Sequence, residues 1–555
     1  MPSHRRPARH WIAILCAILI AFTATWSCSP AAKLVLSGGE KVRNLPHTPP
    51  SGPLVLIFAF DGVGYHQLQD ALDSGHAPNL AQMLGAKRGN GLYEHAWSAP
   101  NAISILPSTT IAAWSSIFTG APPAYDGVPG NEWFVREEMK FYAPAPVSVT
   151  ETDDTVKMIS EDLVGRALKT PTLFEQAGVT SYVSLNPVYR RADIFTTIEP
   201  SAFASLMADF IHGQLAERSS LKRDAYAQLD EDSVPKLLDA IKEHGLPAIQ
   251  VVYFPGIDLY THLAPHALDS EVEYLETVTD PLVGQVLDAY RAAGVLDRTY
   301  AVIIADHGHT PVLRENALGR EGNDGPAGVL RAAGFRTRPF KLELASNEQD
   351  YQAVFAYQGA MAYLYLADRS TCANAGQKCD WNKPPRFEEE VMAAVRAFDY
   401  ANRTGTPSPH LKGTLDLIFA RKPVPEGKTP RPFEIFDGKK LVPIYSYLAK
   451  HPRPDLLKLN ERMRWLGVGP YGDRAGDVVL LARSGLTIPI EQRYYFSGPY
   501  RSWHGSPSEQ DSHVPLVVAC QGKDGATLHD LVKKVAGSQP SQLDVTPIVR
   551  AILGR

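Results

Sequence analysis

The chain has 555 residues, a composition typical of globular proteins and a formal net charge of −5 at pH 7. This length allows two or three domains, or one large α/β domain with insertions. The negative charge provides no basic field for a nucleic-acid backbone, so nucleic-acid binding is not expected.

The first residues have the order of a secretory signal peptide. Basic residues between positions 4 and 10 precede an apolar run from Trp11 to Trp26, which is short for a bilayer span. The run ends in "TATWSC", which is similar to a bacterial lipoprotein cleavage site except that Thr25 replaces the usual Leu. We expect a signal peptide over residues 1–28 and an exported protein, periplasmic or at the cell surface. Membrane contact would come through a lipid anchor at Cys28; an uncleaved anchor is the alternative.

The segments and cysteines that follow agree with export. Residues 29–52 are rich in Pro and Gly and indicate a tether. Cys372 and Cys379 flank the short loop "CANAGQKC", which predicts a disulfide in an oxidising compartment. Cys520 follows the apolar run "PLVVA" and is expected to be a buried, unpaired thiol.

Apolar runs that alternate with helical patterns predict the fold class. The first run, Leu54 to Phe60, is continuously apolar, as in a parallel strand covered on both faces. Helical segments between the runs end at Gly178 and Gly294, which are expected helix terminators. We predict a doubly wound, mostly parallel α/β sheet flanked by helices. The later strand candidates are "VTSYVSL", "AIQVVYF", "YAVIIA" and "VPLVVAC".

The alternation of strands and helices weakens between about residues 310 and 470, where Pro-rich segments such as "NKPPRF" and "RKPVPEGKTPRPF" lie. We therefore predict a catalytic α/β domain in two parts, residues 53–310 and 471–555, with an insertion or cap over residues 311–470. The pattern of "LDVTPIVRAILG" predicts a closing helix.

Carboxylates follow three of the apolar runs. Asp61, Asp258 and Asp306 come at or just beyond the predicted strand ends. Ligands of open α/β sheets bind at the carboxyl ends of the strands. One such Asp alone is a helix N-cap or turn residue. Three of them, each with a nearby Gly and two with a nearby His, predict a metal or catalytic site.

The histidines near these carboxylates have spacings suited to metal binding. Asp258 and His262 stand at i and i+4, which places both on one face of a helix. His307 directly follows Asp306, and His504 precedes a Gly in "SWHGSPSEQDSHVP". Carboxylates mixed with imidazoles suit zinc, with manganese or other divalent ions possible. Two such ions can clamp the attacking and leaving oxygens of a phosphoryl transfer.

Hydroxyl side chains are concentrated in "PSTTIAAWSSIFTG", residues 107–120. The ordinary explanation is a helix whose N-terminus is capped by Ser or Thr. A Thr bound to a cation can instead lose its proton and attack phosphorus. Ser108, Thr109 and Thr110 all lie in this stretch, and the stretch alone does not choose among them as the attacking hydroxyl.

The sequence resembles the alkaline phosphatase superfamily, most closely its type I phosphodiesterase/nucleotide pyrophosphatase branch and the alkaline phosphatases with a threonine nucleophile. The resemblance rests on "AFDG", "STTIAAWSSIFTG", "DGVPGNEWF" and the metal motifs in family order. It implies an alkaline phosphatase-like fold, Thr110 as the nucleophile and Asn131 as the residue that holds a phosphoryl oxygen. It departs where Ile-Ala-Ala replaces the usual Phe-Pro-Asn after Thr110.

The same resemblance implies two divalent ions, expected to be zinc, and a small phosphorylated substrate. His309 and His513 are then expected to support ligands or the fold rather than bind an ion. One ion would be held by Asp258, His262 and His504, and the other by Asp61, Asp306, His307 and the Thr110 oxygen.

The resemblance leaves the substrate class open. Arg190 and Arg191 in "SLNPVYRRADIF" are candidate substrate-binding residues, but the Lys expected of a monoesterase is missing. We therefore predict a phosphodiesterase or nucleotide pyrophosphatase. An alkaline phosphomonoesterase is the first alternative, and a non-catalytic surface lipoprotein that binds phosphorylated ligands is the second.

Overall fold

The computed structural model describes residues 40–43, 50–145, 154, 157–158, 160–197, 223–316, 318, 325–339, 349–425, 427–496 and 500–555. The predicted signal peptide, Cys28 and most of the predicted tether lie outside these residues. The strands of the described residues are β1 Glu40–Val42, β2 Leu54–Phe60, β3 Lys87–Gly89, β4 Leu92–Tyr93, β5 Ala96–Ser98, β6 Trp133–Val135, β7 Lys140–Tyr142, β8 Ser181–Ser184, β9 Ile194–Thr196, β10 Ile249–Phe254, β11 Thr299–Ala305, β12 Thr310–Pro311, β13 Ala353–Gln358, β14 Met361–Leu366, β15 Leu415–Ala420, β16 Glu434–Phe436, β17 Leu441–Pro443, β18 Val478–Ala482, β19 Ser484–Leu486, β20 Gln492–Arg493, β21 Ser502–Trp503 and β22 Leu516–Ala519.

The α-helices of the described residues are α1 Tyr65–Ser74, α2 Pro78–Leu84, α3 Thr110–Thr119, α4 Pro123–Asp126, α5 Leu163–Ala167, α6 Leu173–Ala177, α7 Arg223–His244, α8 Gly256–Thr261, α9 Ala267–Tyr274, α10 Asp280–Ala292, α11 Pro326–Ala332, α12 Ala393–Thr404, α13 Ile444–Lys450, α14 Leu459–Gly467, α15 Glu509–Ser512, α16 Gly525–Ala536 and α17 Val545–Leu553.

The largest sheet has ten strands in the order β1-β9-β8-β10-β2-β11-β22-β5-β4-β3. The five central strands from β9 to β11 are parallel, and every pairing outside this block is antiparallel. The molecule is therefore an α/β protein whose large mixed sheet is flanked by helices, as the sequence predicts.

The central strand β2 positions the site. All seven of its residues are buried, in agreement with the continuous apolar run. Its last residue, Phe60, pairs with Phe254 at the end of β10 and with Ala305 at the end of β11. The residues that follow these three strands consequently emerge at the same edge of the sheet.

One predicted strand has the opposite direction. The run "VPLVVAC" forms β22, which pairs antiparallel with β11 and β5, so the sheet that the sequence predicts as mostly parallel has an antiparallel strand here. The physical reason is where the chain enters it. Trp503, at the end of β21, pairs with Thr310 beyond the carboxyl end of β11, so the chain reaches the sheet at that edge and must run back across it.

A second sheet of six strands lies between residues 353 and 482, in the order β13-β14-β18-β15-β16-β17. All its neighbouring strands are antiparallel. It buries its own apolar cluster, which includes Leu364, Phe398 and Leu480. Most of this sheet falls in the segment predicted as an insertion, while β18 lies beyond residue 470; the predicted boundaries remain predictions.

Local sequence signals explain several helices and the disulfide. Helix α6 begins with a capping box between Thr172 and Glu175 and ends at Gly178, whose φ is +60°. The predicted closing helix is α17. Cys372 and Cys379 form the predicted disulfide, and Cys520 is a buried free thiol. Among the helices that the structure describes, none combines the length and the apolar character needed to cross a membrane.

Candidate metal centre

The ends of three parallel strands carry most of the predicted ligands. Asp61 follows β2, and Asp306 and His307 follow β11. Helix α8 starts directly after β10, and it places the predicted pair Asp258 and His262 on one face, with His262 Nε2 3.3 Å from Asp258 Oδ2. All five side chains are buried. The carboxyl edge of the sheet therefore gathers them as the sequence predicts.

These side chains form one continuous group around Asp258 and His307. His307 Nε2 lies 3.5 Å from Asp61 Oδ1, 3.3 Å from Asp306 Oδ2 and 3.9 Å from Asp258 Oδ1. His504 joins from the loop after β21, with Nε2 4.0 Å from Asp258 Oδ1. We call this group the central cluster. Its overlapping sets are Asp61/Asp306/His307, Asp258/His307/His504 and Asp258/His262/His309, each with ligand atoms within 4.8 Å of one another.

The hydrogen bonds of the histidines leave their inward nitrogens free. His262 Nδ1 faces the Ser502 carbonyl at 2.9 Å, and His504 Nδ1 faces the Ser108 carbonyl at 3.0 Å. Because a carbonyl only accepts, each Nδ1 carries the proton and each Nε2 has a lone pair directed into the cluster. Both Nε2 atoms are buried without a hydrogen-bond partner among the described residues. This is the state that metal binding requires of an imidazole.

In Asp61 and Asp306 one carboxylate oxygen accepts hydrogen bonds and the other does not. Asp306 Oδ1 accepts the N–H groups of Gly62 and His307, each at 3.0 Å, while Oδ2 has no hydrogen-bond partner among the described residues. Asp61 Oδ2 accepts the hydroxyl of Tyr253, and its Oδ1 is likewise unpartnered. A buried polar atom without a hydrogen-bond partner destabilises the folded state. Several such atoms close together therefore suit the binding of a cation. The donor set of carboxylates and imidazoles suits zinc-class divalent ions.

Burial shifts the pKa values of Asp61, Asp306 and His307, whereas the neighbouring histidines His262 and His309 hold the pKa of Asp258 well below its usual range against the opposing effect of burial. Burial, reinforced by the carboxylates of Asp306 and Asp258, raises the pKa of Asp61 well above its usual range. Burial also raises the pKa of Asp306 to about 7 and lowers the pKa of His307 to about 3. A bound cation would offset the repulsion between the crowded carboxylates, and the neutral imidazoles could bind it.

Thr110 and Asn131 lie at this cluster. Thr110 is the first residue of α3, and its Oγ1 is 3.2 Å from His307 Nε2. Asn131 Oδ1 accepts the N–H of Ile111 at 2.9 Å, in the first turn of the same helix. The amide of Asn131 is therefore oriented with its Nδ2 donors free of any hydrogen bond among the described residues. The structure brings both predicted catalytic residues together with the predicted ligands.

The alternative nucleophiles occupy other environments. Ser108 is buried, and its hydroxyl donates to the Ser506 carbonyl at 2.7 Å. Thr109 is the N-cap residue of α3, but its buried hydroxyl makes no capping bond. Ser116 donates to Asp126 at 2.9 Å, which ties α3 to the turn before Asn131. Of these hydroxyls, the Thr110 hydroxyl is the one in contact with a predicted ligand.

The turn between β13 and β14 supports the cluster, although no sequence motif predicts this contact. Gln358 Oε1 accepts the N–H of Asn131 at 2.7 Å, and its Nε2 donates to the carbonyl of Glu132. Ala360 donates its N–H to the His504 carbonyl at 3.0 Å. Gln358 is thus a positioning residue for Asn131. Contacts between residues more than 140 positions apart have no local sequence pattern that could reveal them.

Asp511 is a second positioning residue outside the predicted set. Its buried carboxylate accepts the Thr310 hydroxyl at 2.6 Å and the Ser506 N–H at 2.8 Å. Its carbonyl accepts the N–H of Gly308 at 3.0 Å. Asp511 therefore fixes the loop after His307 against the loop after His504. The only signal in the sequence is its position inside the motif that contains His504.

Close packing at the strand end requires one glycine. Gly62 has a φ of +69°, and a Cβ there would lie 2.6 Å from His309 Nε2 and 2.9 Å from Asp258 Oδ1. A side chain at this position would collide with ligand atoms as well as strain the backbone. The Gly that follows Asp61 in "AFDG" is thus explained by the proximity of two cluster side chains.

His309 and His513 have different locations. The sequence analysis gave both a supporting role, but His309 Nε2 lies 2.9 Å from Asp258 Oδ1, among the ligand atoms themselves. His309 Nδ1 is 3.1 Å from the Ser502 hydroxyl. His513 lies outside the central cluster, near His66 and Glu509. His309 stands two residues after His307, so the sequence alone places it at the end of the same strand.

The two arginines are not part of the cluster. The guanidinium of Arg190 donates to the carbonyls of Gly165, Leu168 and Thr170 and twice to Glu175. These five hydrogen bonds use its donors, so the geometry does not support the predicted substrate contact. Arg191 is exposed at a φ of +68° and forms no hydrogen bond or ion pair within the described residues.

Comparison with known families decides the relationship. Residues 55–365, more than half of the chain, match the family described as "Type I phosphodiesterase / nucleotide pyrophosphatase". The chain belongs to this family. It is accordingly a hydrolase that acts on phosphoester bonds. The family is metal-dependent and acts on small phosphorylated substrates, which agrees with the candidate ligands of the central cluster.

A comparison with solved structures also found matches. An inactive form of murine ectonucleotide pyrophosphatase/phosphodiesterase 5 in complex with AMP matches with a TM-score of 0.48 and 11% identity, over 91% of this chain and 95% of that one. Human ectonucleotide pyrophosphatase/phosphodiesterase 5 matches with a TM-score of 0.47 and 12% identity, over 90% and 95%. A comparison with curated protein sequences found no match.

Proposed function

We propose that this family member hydrolyses phosphodiester or pyrophosphate bonds through Thr110 as a covalent nucleophile. One divalent ion would be held by Asp258, His262 and His504, and the other by Asp61, Asp306, His307 and the Thr110 oxygen. When bound, two zinc ions supply Lewis acidity, which favours the alkoxide of threonine and stabilises charge on the phosphoryl group. The observation that carries the proposal is the contact between Thr110 Oγ1 and His307 Nε2, at 3.2 Å, within a buried group of unpartnered ligand atoms.

The charges of the site agree with an anionic substrate. Three carboxylates and one alkoxide carry four negative charges, which two divalent ions balance. A nearly neutral site admits a phosphate ester without strong repulsion. The N-terminus of α3 adds the partial positive charge of the helix dipole next to Thr110.

The chain's own residues account for a double displacement. Thr110 Oγ attacks phosphorus, the bond from phosphorus to the leaving oxygen breaks, and the leaving oxygen takes up a proton. A water molecule then attacks the phosphothreonine, the bond from phosphorus to Thr110 Oγ breaks, and the product is released. In this proposal the Nδ2 donors of Asn131 hold a phosphoryl oxygen during both steps; the hydrogen bond from the Ile111 N–H to Asn131 Oδ1 supports this role.

A diester or pyrophosphate substrate is favoured over a monoester. A phosphomonoester carries more charge and benefits from extra cations at the site. Within the described part of the chain, Asp61, Asp258 and Asp306 form ion pairs with histidines and with no Lys or Arg. Arg190 is engaged elsewhere. The alternatives of an alkaline phosphomonoesterase and a non-catalytic binder therefore remain as outcomes of the test.

The test compares p-nitrophenyl phosphate, bis-p-nitrophenyl phosphate and a nucleotide-derived diester as substrates of the purified protein. We expect the diesters to have the higher kcat/KM. Thr110→Ala should lower kcat on every substrate by about 10³-fold or more, since the nucleophile is lost. Ser108→Ala is the matched control, because its hydroxyl donates to a backbone carbonyl instead.

Two results would reject the proposal. Full activity of Thr110→Ala would remove the nucleophile assignment, and an inactive wild-type protein that binds these compounds would favour the non-catalytic binder. A higher kcat/KM for the monoester would favour the alkaline phosphomonoesterase. Export and the lipid anchor at Cys28 are a separate proposal that rests on the sequence of residues 1–28 alone.

A further inference from the structure

A second group of ligand-type side chains lies apart from the central cluster. His66 is in the first turn of α1, Glu509 opens α15 and His513 directly follows that helix. Each offers a ligand atom, and these atoms lie within 4.8 Å of one another. We call this group the peripheral triad. It shares no residue with the central cluster, and neither the sequence motifs nor the proposed reaction uses it.

The distances within the triad fit a shared ion. His66 Nε2 lies 3.3 Å from Glu509 Oε1, and His513 Nδ1 lies 3.7 Å from the same oxygen. Two ligands of a tetrahedral zinc ion, each at about 2.0–2.1 Å from the metal, stand about 3.3–3.4 Å apart. The separations are thus close to those of ligands on one cation. Two imidazoles and one carboxylate are also a ligand set that zinc uses.

The environment holds part of this triad in place. The His513 side chain is 12% exposed, and the ring of Tyr65 stacks on it with centroids 4.3 Å apart and planes 12° from parallel. Tyr65 also donates its N–H to the His513 carbonyl at 3.0 Å. Burial and the neighbouring His66 lower the pKa of His513, which favours the neutral imidazole that can bind a metal.

The remaining ligands face solvent. The side chains of His66 and Glu509 are 62% and 63% exposed, so an ion can enter and water can complete its coordination. Without an ion, contacts between such exposed charged groups contribute little to stability, so they do not by themselves explain why the three side chains lie together. An exposed site of three ligands suits an exchangeable ion rather than a permanently buried one.

An ion here would join two segments that lead to the central cluster. His66 stands five residues after Asp61. Helix α15 contains Asp511, which fixes the loops that follow His307 and His504. The triad therefore connects α1, which follows β2 and Asp61, with α15, whose Asp511 fixes the loops after His307 and His504.

We propose that His66, Glu509 and His513 bind a divalent cation of the zinc class, separate from the central cluster, which links α1 to α15. The experiment measures zinc per chain after equilibration of the folded protein with zinc chloride and removal of free metal by gel filtration under the same conditions for each variant. We expect His66→Ala and Glu509→Gln to bind one zinc fewer per chain than the wild type. This difference does not depend on whether Thr110 is the nucleophile.

His76→Ala is the matched control. His76 Nδ1 lies 3.6 Å from Glu276 Oε2, so it is an exposed histidine beside one carboxylate that belongs to none of the metal-type groups of the described residues. This variant should keep the zinc content of the wild type, and circular dichroism should show that all variants are folded. Added zinc should also raise the Tm of the wild type more than that of His66→Ala. Equal zinc content in the wild type, His66→Ala and Glu509→Gln would overturn the proposal.

Discussion

The two sheets contribute to the central cluster in different ways. The parallel strands of the ten-stranded sheet lead to Asp61, Asp258 and Asp306 at one edge, so this sheet supplies candidate metal ligands. None of the predicted ligands comes from the six-stranded sheet. Its β13–β14 turn instead holds Asn131 through Gln358 and the His504 carbonyl through Ala360. The ten-stranded sheet thus carries candidate ligands, and the six-stranded sheet positions residues beside them. Substitutions in the two sheets should therefore have different effects on metal binding and activity.

The largest effect is expected from a ligand of the first sheet. Asp258→Asn removes a negative charge that two of the three sets of the central cluster share, so ion binding and activity should both fall. We expect a loss of about 10³-fold or more in kcat/KM, equivalent to roughly 4 kcal/mol of transition-state stabilisation. Kinetics and zinc content measured on the same sample check this. Unchanged metal content and activity would show that Asp258 is not a ligand.

This side of the comparison could be predicted from the sequence. Asp61, Asp306 and His307 follow apolar strands directly, and Asp258 and His262 have helical spacing, so local patterns locate them. The antiparallel direction of β22 and the roles of Gln358 and Asp511 could not be predicted. They depend on which distant segments meet, and a single sequence contains no period or spacing that records such contacts.

The next effect tests the supporting sheet. Gln358→Leu removes the acceptor of the Asn131 N–H and the donor to Glu132, which frees Asn131 to shift. We expect kcat to fall about 10–100-fold, because small displacements of a positioned group are costly to catalysis. Steady-state kinetics and the free energy of unfolding should be measured together.

Gln352→Leu provides the matched control for this loss. Gln352 is also buried and bonded to backbone groups, but its partners are Arg336 and Cys372 rather than the central cluster. It should lose stability without a comparable loss of kcat. If both variants lost activity equally, the β13–β14 turn would have no specific positioning role.

A smaller effect distinguishes structure from substrate binding at Arg190. Arg190→Ala removes donors to three carbonyls and a contact with Glu175, so the free energy of unfolding should fall by about 2 kcal/mol. KM should stay within about twofold, since no donor is left for substrate. Arg191→Ala should change neither quantity. A large rise in KM for Arg190→Ala with unchanged stability would restore the predicted substrate contact.

The smallest effect concerns pH and the helix that carries Thr110. Burial raises the pKa of Asp126 to about 7. Its protonated form is favoured in the folded state, so its contribution to stability is present at low pH and is lost as the pH rises through about 7. Between pH 6 and pH 8 the wild type should lose about 1 kcal/mol that Asp126→Asn does not lose. Urea unfolding at both pH values measures this, and identical pH dependence would contradict it.

Detection of a phosphorylated Thr110 tests the central claim most directly. The wild-type enzyme is mixed with excess bis-p-nitrophenyl phosphate, quenched in acid within milliseconds and digested, and the peptide that spans residues 107–120 is analysed by mass spectrometry. We predict that this peptide carries the transferred phosphoryl ester on Thr110, and that it is absent without substrate. Modification of Ser108 or Thr109, or turnover by Thr110→Ala at the wild-type rate, would contradict the account.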